Sequence, residues 1–229
     1  MVVSTLTPTQ EALLDAFFTS THLPSRFYLS GGTALSAFYL GHRRSDDLDF
    51  FTLDRLAFVD AGRLLEESAG RTGLTITEVK TADTIIQFFL TGDENPAHPL
   101  KKVDVVLDTE PHFAVERFGA YFVDSLLDIA VNKVTAIFRL DTKDFIDLYF
   151  LLSRGPMTLD DLIPLAKQKL LGFHEFYLAG CLAQFPSLAG RARFIERYMV
   201  EPVDLSEVEE FYRRLSGNLF DRYSPPAVR

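Results

Sequence analysis

Between residues 26 and 107 the apolar residues fall into short runs that alternate or stop at turn residues, and from residue 124 onward they recur at helical spacing. This divide constrains the fold more than any other feature. A chain patterned in this way is neither an all-helical bundle nor an all-β sandwich, because each half must bury a different kind of face. Strands are expected over 26–30, 48–53, 74–80, 84–91 and 100–107, with strand signals fading after about residue 115. Helices are expected over 7–20, 33–40 and 58–70, then over 126–138, 143–152, 159–170, 174–185, 188–199 and 205–215. The fold class that follows is α+β, strands with flanking helices followed by an all-helical C-terminal lobe. The expected division is an α/β core over residues 1–118 and a helical domain over 119–229.

Composition narrows the function classes. The chain carries 23 Lys and Arg against 32 Asp and Glu, a formal net charge of -9. A broad nonspecific nucleic-acid surface is disfavoured, since such binding neutralises many phosphates with basic side chains. A local basic groove or a metal-bridged phosphate remains compatible. Cys181 is the single cysteine, and the start MVVSTLTPTQEALL has neither a basic opening nor a cleavable apolar run, so a reducing cytoplasm is expected. Apolar runs stay well short of the ~20 residues that span a bilayer, and no membrane partner is expected.

The chemistry concentrates in GGTALSAFYLGHRRSDDLDFF, residues 31–51. Asp47 and Asp49 are two apart, and on a strand that spacing puts both carboxylates on one face, about 6.6 Å apart along the chain. Asp46 points the other way. Paired carboxylates suit a hard cation such as Mg²⁺, which keeps waters and substrate phosphates in the rest of its shell. Gly31-Gly32, opening a helix, offers backbone N–H groups to an anion. Asp104 lies inside the apolar run Val103 to Val106, where an unpartnered charge is costly to bury, and a strand beside Asp47 and Asp49 gives it a purpose. Three acids around two cations can support in-line displacement at phosphorus.

Each of these residues also has a plainer reading. Gly-Gly is most often only a turn, and the acids a solvated strand edge. Lys133 can cover apolar surface with its stem, and Lys143 with Asp147 can be a simple surface ion pair. Residues 42–44 can be a polar loop, Arg191, Arg193 and Arg197 a solvated helix face, and Cys181 a small core residue.

Residues 26–53 resemble the nucleotidyltransferase motif of a diglycine or Gly-Ser turn followed by Asp-x-Asp on the next strand. More narrowly, GGTAL, HRRSDDLDFF and KDFIDLYFLL at 143–152 resemble the AbiEii/AbiGii toxin family of bacterial toxin and antitoxin pairs, over roughly residues 26–153. The resemblance implies a DNA polymerase β-like nucleotidyltransferase fold, whose sheet is mixed, and metal-dependent transfer of a nucleotide from an NTP, with tRNA acceptor ends as the family's targets. It implies that Gly31 and Gly32 face the triphosphate, that Asp47, Asp49 and Asp104 bind Mg²⁺, two ions in all, and that Lys133 contacts phosphate. Asp144 and Asp147 match the later KDxxD element and can orient Lys133 or Arg139. Thr33, Arg43, Arg44 and Ser45 complete the expected nucleotide-side set, and a cognate antitoxin protein is the implied partner. Two alternatives stand beside this reading: transfer to a small-molecule or protein hydroxyl, and a nucleotide-binding module without turnover.

Overall fold

A computed structural model of the chain describes residues 5–20, 26–95, 97–108, 112–192 and 194–223. The chain divides into two compact units, Met1–Ile129 and Ala130–Arg229.

The first unit is built on a seven-stranded mixed sheet of β1 (Tyr28–Ser30), β2 (Leu48–Thr52), β3 (Thr75–Thr81), β4 (Ile85–Thr91), β5 (Lys102–Leu107), β6 (Val115–Phe118) and β7 (Tyr121–Asp124). Their spatial order is β3-β4-β5-β2-β1-β7-β6. β2 runs antiparallel to β1 and parallel to β5, and β1 runs parallel to β7. The strands alternate as their sequences dictate. Leu48 and Phe50 of β2 and Val103 and Val105 of β5 are fully buried, and they project to one face of the sheet. Helices α1 (Pro8–Ser20) and α3 (Arg55–Arg71) belong to that face: Phe17 of α1 stacks on Phe50 with ring centroids 4.0 Å apart, and α3 buries Ala57, Ala61, Leu64 and Leu65. Asp54 caps α3, accepting from the backbone N–H groups of Leu56 and Ala57.

All five expected strands form, and the fading of strand signals after residue 115 needs correction. Val115–Phe118 and Tyr121–Asp124 make an antiparallel hairpin around Gly119, which has φ +62°. Each strand has only four residues and β6 is largely exposed at the sheet edge, so neither carries a clear apolar alternation. A second correction concerns residues 33–40. Gly31–Ala34 (α2) is α-helical, but Leu35–Leu40 continues as a π-helix that ends where the Gly41 N–H reaches the Ser36 carbonyl.

The boundary region is carried by α4 (Leu126–Ala136). The second unit then contains α5 (Thr142–Arg154), α6 (Leu159–Lys169), α7 (Glu175–Leu182), α8 (Phe185–Ala192) and α9 (Leu205–Tyr223). The helix expected over 188–199 is displaced: α8 starts earlier, at Phe185, and Glu196–Tyr198 is only a short 3₁₀ turn. Phe145, Phe185 and Tyr212 form the aromatic centre of this unit, with centroids 5.2 to 5.5 Å apart, and the Tyr212 hydroxyl donates to the Phe145 carbonyl. Arg197 is exposed; Arg193 and the Arg191 side chain lie outside the described residues.

Candidate active site

The sheet face opposite α1 and α3 carries the acids. Asp49 of β2 is in register with Asp104 of the parallel neighbour β5, and on its other side with Ser30 of the antiparallel β1, directly before Gly31. Asp47 immediately precedes β2. Its main-chain carbonyl accepts from the hydroxyl of the buried Thr33, which ties the acidic segment to the first turn of α2. Asp104 is only 7% exposed, an expensive place for a carboxylate without partners.

Those partners come from the same face. Lys102, two residues before Asp104 on β5, places Nζ 2.8 Å from Asp104 Oδ2 and 3.8 Å from Asp47 Oδ2. Gln87, paired with Asp104 across β4 and β5, donates from Nε2 at 3.3 and 3.4 Å to the two Asp104 oxygens. Burial alone would lower the Lys102 pKa, but the hydrogen bond to Asp104 and the charges of Asp47, Asp104 and Asp49 hold it above the usual lysine value. Sequence reasoning missed Lys102 and Gln87. The period-two rule that pairs Asp47 with Asp49 also pairs Lys102 with Asp104.

Both glycines are needed for contact rather than only for a bend. Gly31 has φ +71°, and a Cβ there would sit 2.3 Å from Asp49 Oδ2 and 3.0 Å from its Cγ. A Cβ on Gly32 would sit 2.4 Å from Nη2 of Arg43, itself 2% exposed and among the largest fully buried side chains. Arg43 Nη1 donates to the Arg44 carbonyl, while the Arg44 side chain faces solvent. The Ser45 carbonyl accepts from Gln10 Nε2. Asp46 leaves the acidic group and meets His98, Oδ1 to Nδ1 at 3.1 Å.

In the second unit, Lys133 Nζ lies 2.7 Å from both Asp144 Oδ1 and Asp147 Oδ2, and Arg139 adds a contact of 3.1 Å to Asp144 Oδ2. Asp147 is fully buried and Lys133 is 7% exposed. The KDxxD acids thus hold the Lys133 ammonium, the orienting relation expected from their shared helix face.

A further titratable group was not anticipated. His112 Nε2 lies 3.0 Å from Asp124 Oδ1 and 3.9 Å from Asp128 Oδ2, a set whose ligand atoms fall within 4.8 Å of one another. Its lone pairs are engaged by protein donors. Asp128 accepts from the N–H groups of Phe113 and Ala114 and from Ser125 Oγ, and Asp124 accepts from Ser30 Oγ at 2.6 Å. The arrangement fastens the end of β1 and the start of α4 together. Burial raises the Asp124 pKa; the bonds from His112 and Ser30 oppose this, and the Asp128 charge adds to it. The folded protein therefore holds this proton more tightly than the unfolded chain, and the stability it contributes is lost as pH rises from about 4 through the raised value. Asp124→Asn cannot titrate and is expected to remove that slope, so its unfolding free energy relative to wild type is higher at pH 8 than at pH 4. Urea denaturation of both proteins at the two pH values checks this, and an unchanged difference would show that Asp124 does not set the slope.

Comparisons with known proteins follow the same lines as the geometry. The family model for the nucleotidyl transferase AbiEii toxin of type IV toxin–antitoxin systems matches residues 12–221, which contain the glycine turn, all three acids and the KDxxD helix. The chain belongs to the AbiEii nucleotidyl transferase toxin family. An uncharacterized protein of Aquifex aeolicus is 32% identical over 200 residues, covering 82% of this chain and 85% of its own. JHP933 from Helicobacter pylori shares the fold with a TM-score of 0.54 at 18% identity, over 93% of this chain and 90% of its own. A second H. pylori structure, of a candidate nucleotidyltransferase, has a TM-score of 0.56 at 18% identity, over 93% and 92%. The AbiEii match supports a nucleotidyltransferase of toxin–antitoxin type on the mixed sheet described above. Among the described residues, no helix is long and apolar enough to cross a membrane.

Proposed function

We propose that the protein transfers a nucleotide from an NTP to an acceptor hydroxyl on RNA, with a tRNA end as the target class, and that it is the toxin of a pair with a cognate antitoxin. The observation that carries this reading is the register of Asp49 with Asp104, beside Asp47 and against the Gly31 turn. The oxygen donor set, already drawing an ammonium to Asp104 and Asp47, fits divalent ions of the Mg²⁺ kind. Asp47, Asp49 and Asp104 would hold such ions, which would supply charge at the phosphoryl oxygens and lower the pKa of the acceptor hydroxyl.

The chain's own residues supply the placement. Gly31 and Gly32, without side chains, let Asp49 and the buried Arg43 close on the turn, and the backbone N–H groups of that turn are the anion donors of this reading. Thr33 fixes the main chain at Asp47, and the buried Arg43, with Ser45, supports the turn at Gly32. Gln87 holds the Asp104 carboxylate in place. Lys133, oriented by Asp144 and Asp147, enters as a phosphate contact on the resemblance, and Arg44 as a triphosphate or acceptor contact from its place between the glycine turn and the Asp47–Asp49 pair. Catalysis of this kind rests on positioning and charge, and requires no covalent intermediate on the protein.

The test is incubation of the full chain with each labelled NTP, Mg²⁺ and total RNA. Label in RNA is the expected outcome. Label on a protein or small molecule instead would favour the second reading, which the net charge of -9 supports. Nucleotide bound with no label transferred would exclude an enzyme.

A further inference from the structure

We propose that Lys102 is a displaceable resident cation of the three-carboxylate pocket, one that a divalent ion must evict before it can bind Asp104. The inference rests on the assignment of Asp47, Asp49 and Asp104 as the metal-binding acids. Three carboxylates gathered on one sheet face repel one another, and a protein without a divalent ion needs a positive charge there. Lys102 provides it from within the same strand, with Nζ 2.8 Å from Asp104 Oδ2 and reaching toward Asp47 Oδ2 at 3.8 Å. Its side chain is 26% exposed against 10% for Asp104, so the lysine is the more solvent-accessible partner of the pair.

Two features make the cation removable. The charge is carried on a flexible four-carbon stem, so Nζ can leave without movement of β5. Gln87 is a neutral donor facing both Asp104 oxygens, and it continues to orient the carboxylate after the ammonium departs. The departing ammonium is a point-charge donor suited to phosphate, which is the group that an NTP brings. Eviction is therefore unfavourable for a divalent ion alone and becomes easier when nucleotide arrives to accept the displaced charge. Metal and nucleotide load together, and each raises the affinity of the other.

The test is titration of the full chain with Mn²⁺, followed by electron paramagnetic resonance, with and without a non-hydrolysable NTP analogue. Lys102→Met removes the competitor at similar length and is expected to bind Mn²⁺ roughly ten- to hundredfold more tightly than wild type without nucleotide. The enhancement of Mn²⁺ affinity by the analogue is expected to shrink in the same variant. Lys102→Arg keeps a cation and is expected to retain weak binding without nucleotide. Affinity in Lys102→Met that is equal to or weaker than wild type overturns the inference, because a lysine that only scaffolds the pocket loosens the site when removed. Asp49→Asn distinguishes failure of the acids from failure of the lysine. If it binds Mn²⁺ as well as wild type, the assignment of the acids fails and the inference falls with it. If it loses Mn²⁺ while Lys102→Met gains nothing, only the role of Lys102 fails.

Discussion

Asp49→Asn is expected to abolish nucleotide transfer while leaving the fold in place. Asparagine occupies nearly the volume of aspartate, and the backbone pairing of residue 49 with Ser30 and Asp104 does not involve the side chain. The substitution removes one charge from a face that also carries Asp47 and Asp104, so the melting temperature should hold or rise slightly through relieved repulsion. On the proposed function the substitution removes a carboxylate ligand to the divalent ions, worth about 4 kcal/mol of transition-state stabilisation, which is roughly a thousandfold in rate. Labelled-NTP transfer measured beside thermal unfolding separates the two effects. Transfer at the wild-type rate would remove Asp49 from the chemistry, and a collapsed melting temperature would give it a structural role instead.

The second large effect is expected on stability. Lys133→Met deletes the ammonium that meets Asp144 and Asp147 at 2.7 Å each and leaves two carboxylates behind, one fully buried and the other still touched by Arg139. Removing one partner of a buried ionic group strands the other, at a cost of about 3–5 kcal/mol. The triple variant Lys133→Met, Asp144→Asn, Asp147→Asn is expected to recover most of that loss, because the buried charge is gone from both sides. Denaturant unfolding of wild type, the single and the triple variant decides the matter. A single variant within about 0.5 kcal/mol of wild type would show that the cluster is solvated and contributes little.

The sequence made some of this plain and concealed other parts for identifiable reasons. Asp47 and Asp49 could be paired on one face because alternation on a strand has a fixed period, whereas alternation left the side of Asp104 open and only the cost of burying its charge and the family resemblance drew it to them. Helical spacing put Asp144 and Asp147 on one helix face, but Lys133 lies on a different helix and its ion pairs with them are visible only in the fold. Lys102 escaped because a lysine at the start of a strand looks like a solvated end, although its offset from Asp104 already put it on the acidic face. The hairpin of Val115–Phe118 and Tyr121–Asp124 escaped because its outer strand is exposed and has no apolar alternation to register. With it went Asp124, whose hydrogen bond from Ser30 joins residues 94 positions apart and depends on a parallel β1–β7 pairing that no local pattern announces. The π-helical turn at Leu35–Leu40 has the composition of an ordinary helix, and only the backbone distinguishes the two.

The pairing of β2 with β5 has a consequence for how such a protein can diverge. Because Asp49 and Asp104 sit opposite each other on adjoining central strands, their separation is fixed by inter-strand spacing, about 4.8 Å between chains, and owes little to the shape of surrounding side chains. Connections leading into and out of these strands can therefore lengthen, shorten or change composition through evolution without detuning the distance between the two acids. A single-residue deletion inside either strand has the opposite effect, turning one carboxylate toward Phe17 and the hydrophobic layer. Tolerance to change is thus distributed by topology, generous in the loops and nearly absent along two short stretches of main chain.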